Sequence, residues 1–279
     1  MQMDKRIKKM LKKTLALLPG CGTTLIYAWH RTKYEQRKLR FNTLNLFKKH
    51  HIPDPDTVYW IDPGQVIFMT HYKDSPYAED KVFHIIKDRG RVYDGNWDTY
   101  PCRFSDLKVF KALERRIRHG AAWEDTAFYH QILGQIESGE HLWGCENRSD
   151  WDARCCYLDV MIRSIRDEGY KLMNKRTFHG GEEVTVNVGR HGQFLFQDGR
   201  HRLAIARILG IEKIPVRILV RHRQWQTMRE NLTALAKKND GPKPRQDDAS
   251  VHPDLADIPG ITPDIFRFFT GKEDHEFTG

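Results

Sequence analysis

The chain has 279 residues, 39% apolar and 11% aromatic, enough to bury a sizeable core in one large domain and to exclude a chain disordered throughout. Its five cysteines, Cys21, Cys102, Cys145, Cys155 and Cys156, are odd in number and share no repeated spacing. This argues against a secreted disulfide framework and for a reducing, cytoplasmic setting. The net charge of +9 is local: residues 1–50 carry 13 Lys and Arg against Asp4 and Glu35, and the remaining chain sums to −2, which removes the compositional case for a nucleic-acid binder over the whole length.

Residues 4–18 have helical periodicity, with Ile7, Met10, Leu11, Leu15 and Leu18 on one face and Lys5, Lys9, Lys12 and Lys13 largely on the other. Such a basic amphipathic helix suits an anionic membrane surface or nucleic-acid phosphates, and equally a helix packed on the protein's own core with a solvated basic face. The uncharged run Thr14–Trp29 is interrupted by Pro19, Gly20 and Gly22 and is too short to span a bilayer. The run LPGC at 18–21 faintly resembles a lipoprotein cleavage site, but Leu25, Ile26, Tyr27 and Trp29 continue the apolar stretch past it. Peripheral association with an inner membrane face is the furthest that this region points. Residues 28–50 read as a second basic helix.

A short buried strand is predicted at Val58–Ile61, closed by Asp62-Pro63-Gly64, and further strands at Val82–Ile86 and from Val92 into a turn through Asp98. Ser105 is expected to cap a helix running to about Arg118 with Gly120 as its stop; helices follow at Glu124–Glu137 and about Asp150–Asp167, the last ending at Gly169. Val184–Val188 alternates apolar and polar residues, Arg190-His191-Gly192 makes a turn, and Phe194–Phe196 completes a hairpin. A helix from His201 to Leu209 ends at Gly210; a strand at Ile214–Val220 and a helix at Trp225–Lys237 follow. Residues 238–249 are polar and broken by Gly241, Pro242 and Pro244, as in a linker, and Ile265–Phe269 is apolar enough to dock.

The stretch Phe194–Val220 carries the chemistry. A strand leads through Asp198-Gly199-Arg200 into a helix, and a tight glycine turn that launches a helix presents unpaired backbone N–H groups and the positive end of the helix dipole to an anion. Arg200, His201 and Arg202 stand on that first turn. The arginine fork donates two parallel hydrogen bonds to phosphate, and histidine can donate to phosphate oxygen or move a proton near neutral pH. The same pattern also suits arginines paired with surface acids. Glu182 and Glu183 precede the hairpin, where a carboxylate can hold Mg²⁺ or act as a base. Asp94 and Asp98 read as turn residues, and Arg221-His222-Arg223, at a strand end, as charge added to the site or merely solvated. Cys155-Cys156 is a poor metal pair because helical neighbours diverge, and neither Cys-x-x-Cys nor His-Glu-x-x-His occurs, so no metal ligands are named.

The run DGRHRLAIARILGIEKIPVRIL, with Gly199, His201, Arg202, Ala204, Ala206, Gly210 and Ile214-Pro215-Val216, resembles the ParB/sulfiredoxin superfamily, also described as the ParB-like nuclease domain, over about residues 184–222. The resemblance implies an α+β fold, a small mixed sheet with helices, for a domain at 51–237 that carries a helical insertion at about 100–175; the N-terminal basic helices (1–50) precede it, and the linker and tail (238–279) follow. It implies a nucleotide whose phosphates meet Gly199, His201 and Arg202, with Arg200 as an addition. Together with Asp198 of the same turn these are the candidates for binding ATP or CTP with Mg²⁺, and His201, Arg202 and, from its place before the hairpin, Glu183 are the catalytic candidates. Sulfiredoxin places its reactive cysteine where this chain has Arg200, which excludes sulfinic acid reduction. Partition proteins have Glu at that position and a following helix-turn-helix domain, for which residues 218–279 leave no room. The expectation is therefore hydrolysis of a nucleoside triphosphate or transfer of its phosphoryl group. A DNA-binding protein or nuclease using residues 4–50, and a non-catalytic membrane-associated scaffold, are the rival readings.

Overall fold

A computed structural model describes Leu39, Thr43 and residues 52–70, 83, 85, 88–99, 102–172, 183–239 and 251–261. The helix expected at 4–18, the apolar run Thr14–Trp29, Glu182, most of the linker and Ile265–Phe269 lie outside these residues. Of the region expected to be helical at 28–50, Leu39 and Thr43 are helical, and Thr43 Oγ1 donates to the Leu39 carbonyl at 2.8 Å. The chain divides into two compact units, Met1–Ile52 and Pro53–Gly279, and the second holds all the features described below.

That unit is α+β. Its seven-stranded mixed sheet comprises β1 (Tyr59–Ile61), β2 (Phe68–Met69), β3 (Arg91–Tyr93), β4 (Cys102–Arg103), β5 (Val184–Val188), β6 (Phe194–Asp198) and β7 (Ile214–His222), in the order β1-β7-β5-β6-β2-β4, with β3 also on β7. β5 and β6 form the expected antiparallel hairpin, while β7 runs parallel to β5 on its other side. β1 and β3 share one edge of β7: β1 pairs with Ile214–Val216, β3 with Val220–His222. The strand expected at Val82–Ile86 does not form at its described positions: Phe83 has no regular structure and Ile85 lies in a turn.

β5 alternates in sequence but is buried at every position. Val184, Val186 and Val188 join the main core, whereas Leu195, Leu219 and Val220 pack with Phe83 and Trp97 in a second, smaller cluster. Period-two alternation sends neighbouring residues to opposite faces, so both faces of the sheet are covered. The polar residues of β5 are consequently satisfied internally: Asn187 donates to Thr70 Oγ1 at 2.7 Å and to Gln197 Oε1 at 2.8 Å, and accepts from the Val220 N–H at 3.3 Å.

Five helices are described: α1 (Lys108–His119), α2 (Ala127–Glu137), α3 (Arg148–Glu168), α4 (Arg200–Leu209) and α5 (Arg223–Asn239). α1 begins at Lys108 rather than at Ser105, because Phe104–Asp106 forms a separate 3-10 turn; Gly120 ends it in a left-handed conformation, its N–H reaching the Arg115 and Arg116 carbonyls. Thr126 caps α2 through the Tyr129 N–H, and Asn147 caps α3 through the Asp150 N–H, while Asp150 accepts from the Glu146 N–H. Arg116 binds Asp159 through two hydrogen bonds of 2.9 and 2.8 Å, tying α1 to α3. α4 lies against α1 and α3, burying Leu203, Ala204, Ile205 and Ala206 completely. Leu203 and Ile205 each contribute roughly 1.5–3 kcal/mol by leaving water. Among the described residues, no helix is long and apolar enough to cross a membrane.

Residues 251–261 pack into the same core through Val251, Leu255, Ile258 and Ile261. Asp254, wholly buried, accepts from Arg221 Nε at 2.9 Å and from Trp225 Nε1 at 2.8 Å; Arg229 is 3.7 Å away and binds Asp257 at 2.9 Å. Arg221 thus serves the fold instead of adding charge at a strand end, and Arg223 opens α5. His252 donates from Nε2 to the Gly192 carbonyl at 2.8 Å, and its Nδ1 faces the Asp254 N–H at 3.1 Å, which requires the neutral ring.

Two expectations follow. Asp254→Asn removes the counter-charge of two buried guanidinium groups and should cost about 3–5 kcal/mol in urea denaturation, whereas Asp257→Asn, at a half-exposed carboxylate, should cost about 1 kcal/mol or less. Burial pushes His252 down to about 4, below its unfolded value, so the unfolded chain takes up the proton first. Stability should be full above about pH 6.5 and fall as the pH drops towards 4; His252→Gln should flatten that slope in denaturation curves taken across the range.

Candidate functional site

β6 ends at Asp198, and Gly199 turns the chain with φ 88° and ψ 31° into α4. Glycine is required twice over here. A Cβ would stand 3.1 Å from the Val184 Cα, and the backbone is left-handed. The chain therefore passes tightly over the start of β5 and enters the helix with no side chain capping its first N–H groups; the first turn closes through the Leu203 N–H on the Gly199 carbonyl at 3.1 Å. Those uncapped groups and the dipole form the anion-favouring end that the glycine turn leads one to expect.

The side chains of the turn divide into two sets. Asp198 and Arg200 are exposed. Arg202 is 13% exposed and lies 3.7 Å from the carboxylate of Glu183, itself 2% exposed. Tyr170, from the end of the insertion, stands beside this pair; burial pushes its hydroxyl up to about 12, with Arg202 opposing the shift. Glu183 and Arg202 are thus brought together, but as a buried pair behind the turn, while Asp198 and Arg200 face outward.

His201 belongs to neither set. Its ring centroid lies 5.9 Å from that of Trp143 and 6.4 Å from that of Phe128, edge-on to both. Burial first, then Arg200 and Arg154, pushes its pKa down to about 3, so the ring is neutral near pH 7. Trp143, Phe128, Arg154 and Tyr170 come from the helical insertion, and no spacing or motif in the sequence marks them.

The loop that carries Asp94 and Asp98 forms a separate cluster. Asp94 accepts from the Gly95 N–H at 2.9 Å, as a turn residue does. Asp98 is buried and accepts from the Arg190 N–H at 2.6 Å and from its guanidinium at 2.7 Å. Burial alone would raise the Asp98 pKa; the hydrogen bonds from Arg190 overcome it and hold the carboxyl below its usual range. His222 Nε2 lies 2.9 Å from the Gly95 carbonyl, fastening this loop to the end of β7. Among the described residues, no group of three or more His, Cys, Asp or Glu is arranged to hold a metal ion. A cleft of about 450 Å³ lies at the far end of α4, lined by Asp62, Pro63, Gly64, Arg207, Gly210, Ile211 and Glu212, and includes none of the turn residues 198–202.

The division between buried and exposed arginine predicts opposite costs. Arg202→Ala removes a guanidinium from beside the buried carboxylate of Glu183 and should lower stability by about 2–4 kcal/mol, while Arg200→Ala should stay within about 0.5 kcal/mol, both read by denaturant titration. Comparison with family models, with curated proteins and with solved structures finds no match to this chain.

Proposed function

We propose that this protein binds a nucleotide at the Asp198–Arg202 turn, as a member of the ParB/sulfiredoxin-like group, and that it hydrolyses a nucleoside triphosphate or transfers its phosphoryl group. The observation that carries this reading is the junction at Gly199: a left-handed glycine pressed on β5, an uncapped helix start, and an exposed arginine in the first turn. The junction directs the free N–H groups of the first turn of α4 to one place, which suits a phosphate.

The roles follow from burial. The α4 N–H groups and Arg200 bind phosphate oxygens and offset charge that develops on the transferring group. Glu183 orients Arg202 from behind and, being buried against it, is less suited to act as the base than its position in the sequence implies. Asp198, exposed at the turn, is the carboxylate placed to accept a proton from an attacking hydroxyl or to contact Mg²⁺. Mg²⁺ held mainly by the nucleotide's own phosphates needs only one or two protein carboxylates, and bound there it would neutralise phosphate charge. His201, neutral and enclosed by aromatic rings, acts as a neutral partner or a packing residue, not as a cation.

The test is thermal stabilisation and phosphate release with Mg²⁺ and ATP, CTP or GTP. A ligand at about a hundred times its Kd stabilises the native state by about 2.7 kcal/mol, which for a domain of this size raises Tm by about 5–10 °C. Wild type should show such a rise with at least one nucleotide, and Arg200→Ala should lose most of it with its unliganded Tm unchanged. Absence of any shift at saturating concentrations of all three would sink the reading.

A further inference from the structure

The helical insertion meets the first turn of α4 at a place where buried polar atoms go unmatched. His201 Nε2, Arg154 Nε and Trp151 Nε1 are each shut off from solvent, with no hydrogen-bond partner among the described residues. These atoms belong to one neighbourhood. The His201 ring is 5.9 Å from Trp143, Trp143 is 5.9 Å from Trp151, and Arg154 and Arg200 both act electrostatically on His201. Buried polar groups are nearly always paired, so unmatched ones gathered beside an anion-favouring helix end call for a polar occupant.

Trp143 adds a second feature. It is 42% exposed, although a large indole gains by burial, and its backbone has φ 51°, the one positive value at a non-glycine position among the described residues. The turn around it is closed by the Cys145 N–H on the Leu142 carbonyl at 2.9 Å, and its ring is stacked on Trp151 at an interplanar angle of 28°. An indole supported in this way on a short closed turn, with much of its surface left uncovered, forms a platform for a flat ring.

We propose that the insertion supplies the second half of the nucleotide site: Trp143 stacks on the base, and Arg154 with His201 hydrogen-bonds polar atoms of a ligand whose phosphates lie at the start of α4. This rests on the nucleotide reading above. Stacking on an indole is tolerant of which base is present and takes its strength from the ring face. The insertion, and not the glycine turn, therefore distinguishes a nucleotide from bare polyphosphate.

The experiment is calorimetric titration of the full chain, with Mg²⁺, using ATP, CTP, GTP and inorganic tripolyphosphate. The proteins are wild type, Trp143→Ala, Trp143→Phe and Arg154→Gln, each checked for an unchanged melting temperature. Wild type should bind at least one nucleotide about tenfold or more tightly than tripolyphosphate. Trp143→Ala should lose that margin while tripolyphosphate binding stays within about twofold; Trp143→Phe should keep most of it, and Arg154→Gln should weaken the nucleotide several-fold. Equal affinity of wild type for nucleotide and tripolyphosphate, or undiminished nucleotide binding by Trp143→Ala, overturns the inference and leaves the phosphate site standing. Loss of both ligands in both Trp143 variants makes the ring a part of the fold and overturns it too. Failure of wild type to bind either ligand overturns the nucleotide reading itself, and this inference with it.

Discussion

Two guanidinium groups, those of Arg221 and Arg229, are almost wholly buried, and the carboxylate of Asp254 is the buried charge that makes their burial tolerable. An ion of this kind in the interior is unfavourable by several kcal/mol unless it is paired and hydrogen-bonded. The pairing draws together elements far apart in sequence. Arg221 is on β7, Arg229 and Trp225 are on α5, and Arg221 also reaches the Tyr59 hydroxyl of β1 at 3.3 Å. Asp254 itself comes from a segment beyond the polar stretch that follows α5. His252 holds the same segment to the hairpin turn at Gly192. The edge of the sheet, α5 and residues 251–261 therefore stand or fall as one cooperative unit.

The central strand is subject to a related constraint. Because β5 is covered on both faces, its polar residues must find partners inside the protein, and Thr70 and Gln197 supply them to Asn187. Gln197 lies next to Asp198, so the network that satisfies the second face of the sheet also fixes the strand end from which the glycine turn departs. The close approach of Gly199 to Val184 completes that fixation. A phosphate placed at α4 would meet a turn that is already rigid and would need little ordering on binding.

The helical insertion has two parts to play. Its Arg116–Asp159 pair ties two of its helices together, and its aromatic residues reach the first turn of α4. One residue of the turn, His201, is thereby drawn into the insertion and kept neutral, while its neighbour Arg200 stays in solvent. The functions of adjacent residues on one helix turn are separated by what the insertion covers.

Local patterns were enough to read the hairpin, the glycine turn, α4 and its Gly210 stop, because φ restrictions at glycine, apolar periodicity and helix-end chemistry act over a few neighbouring residues. The same short-range signals set the α1 stop at Gly120 and the α3 stop at Gly169. They led to an error at Ser105, where a 3-10 turn intervenes, and at Val82–Ile86, whose apolar run is not strand at Phe83 or Ile85. Burial on both faces of β5, the division of Arg200 from Arg202, the Asp98–Arg190 clamp and the meeting of Trp143 with His201 were decided only in three dimensions. Each depends on which residues distant in the chain become neighbours. Desolvation and ion pairing, which turn an arginine into an anchor or leave it open to a ligand, are properties of that neighbourhood and have no periodicity by which a sequence could announce them.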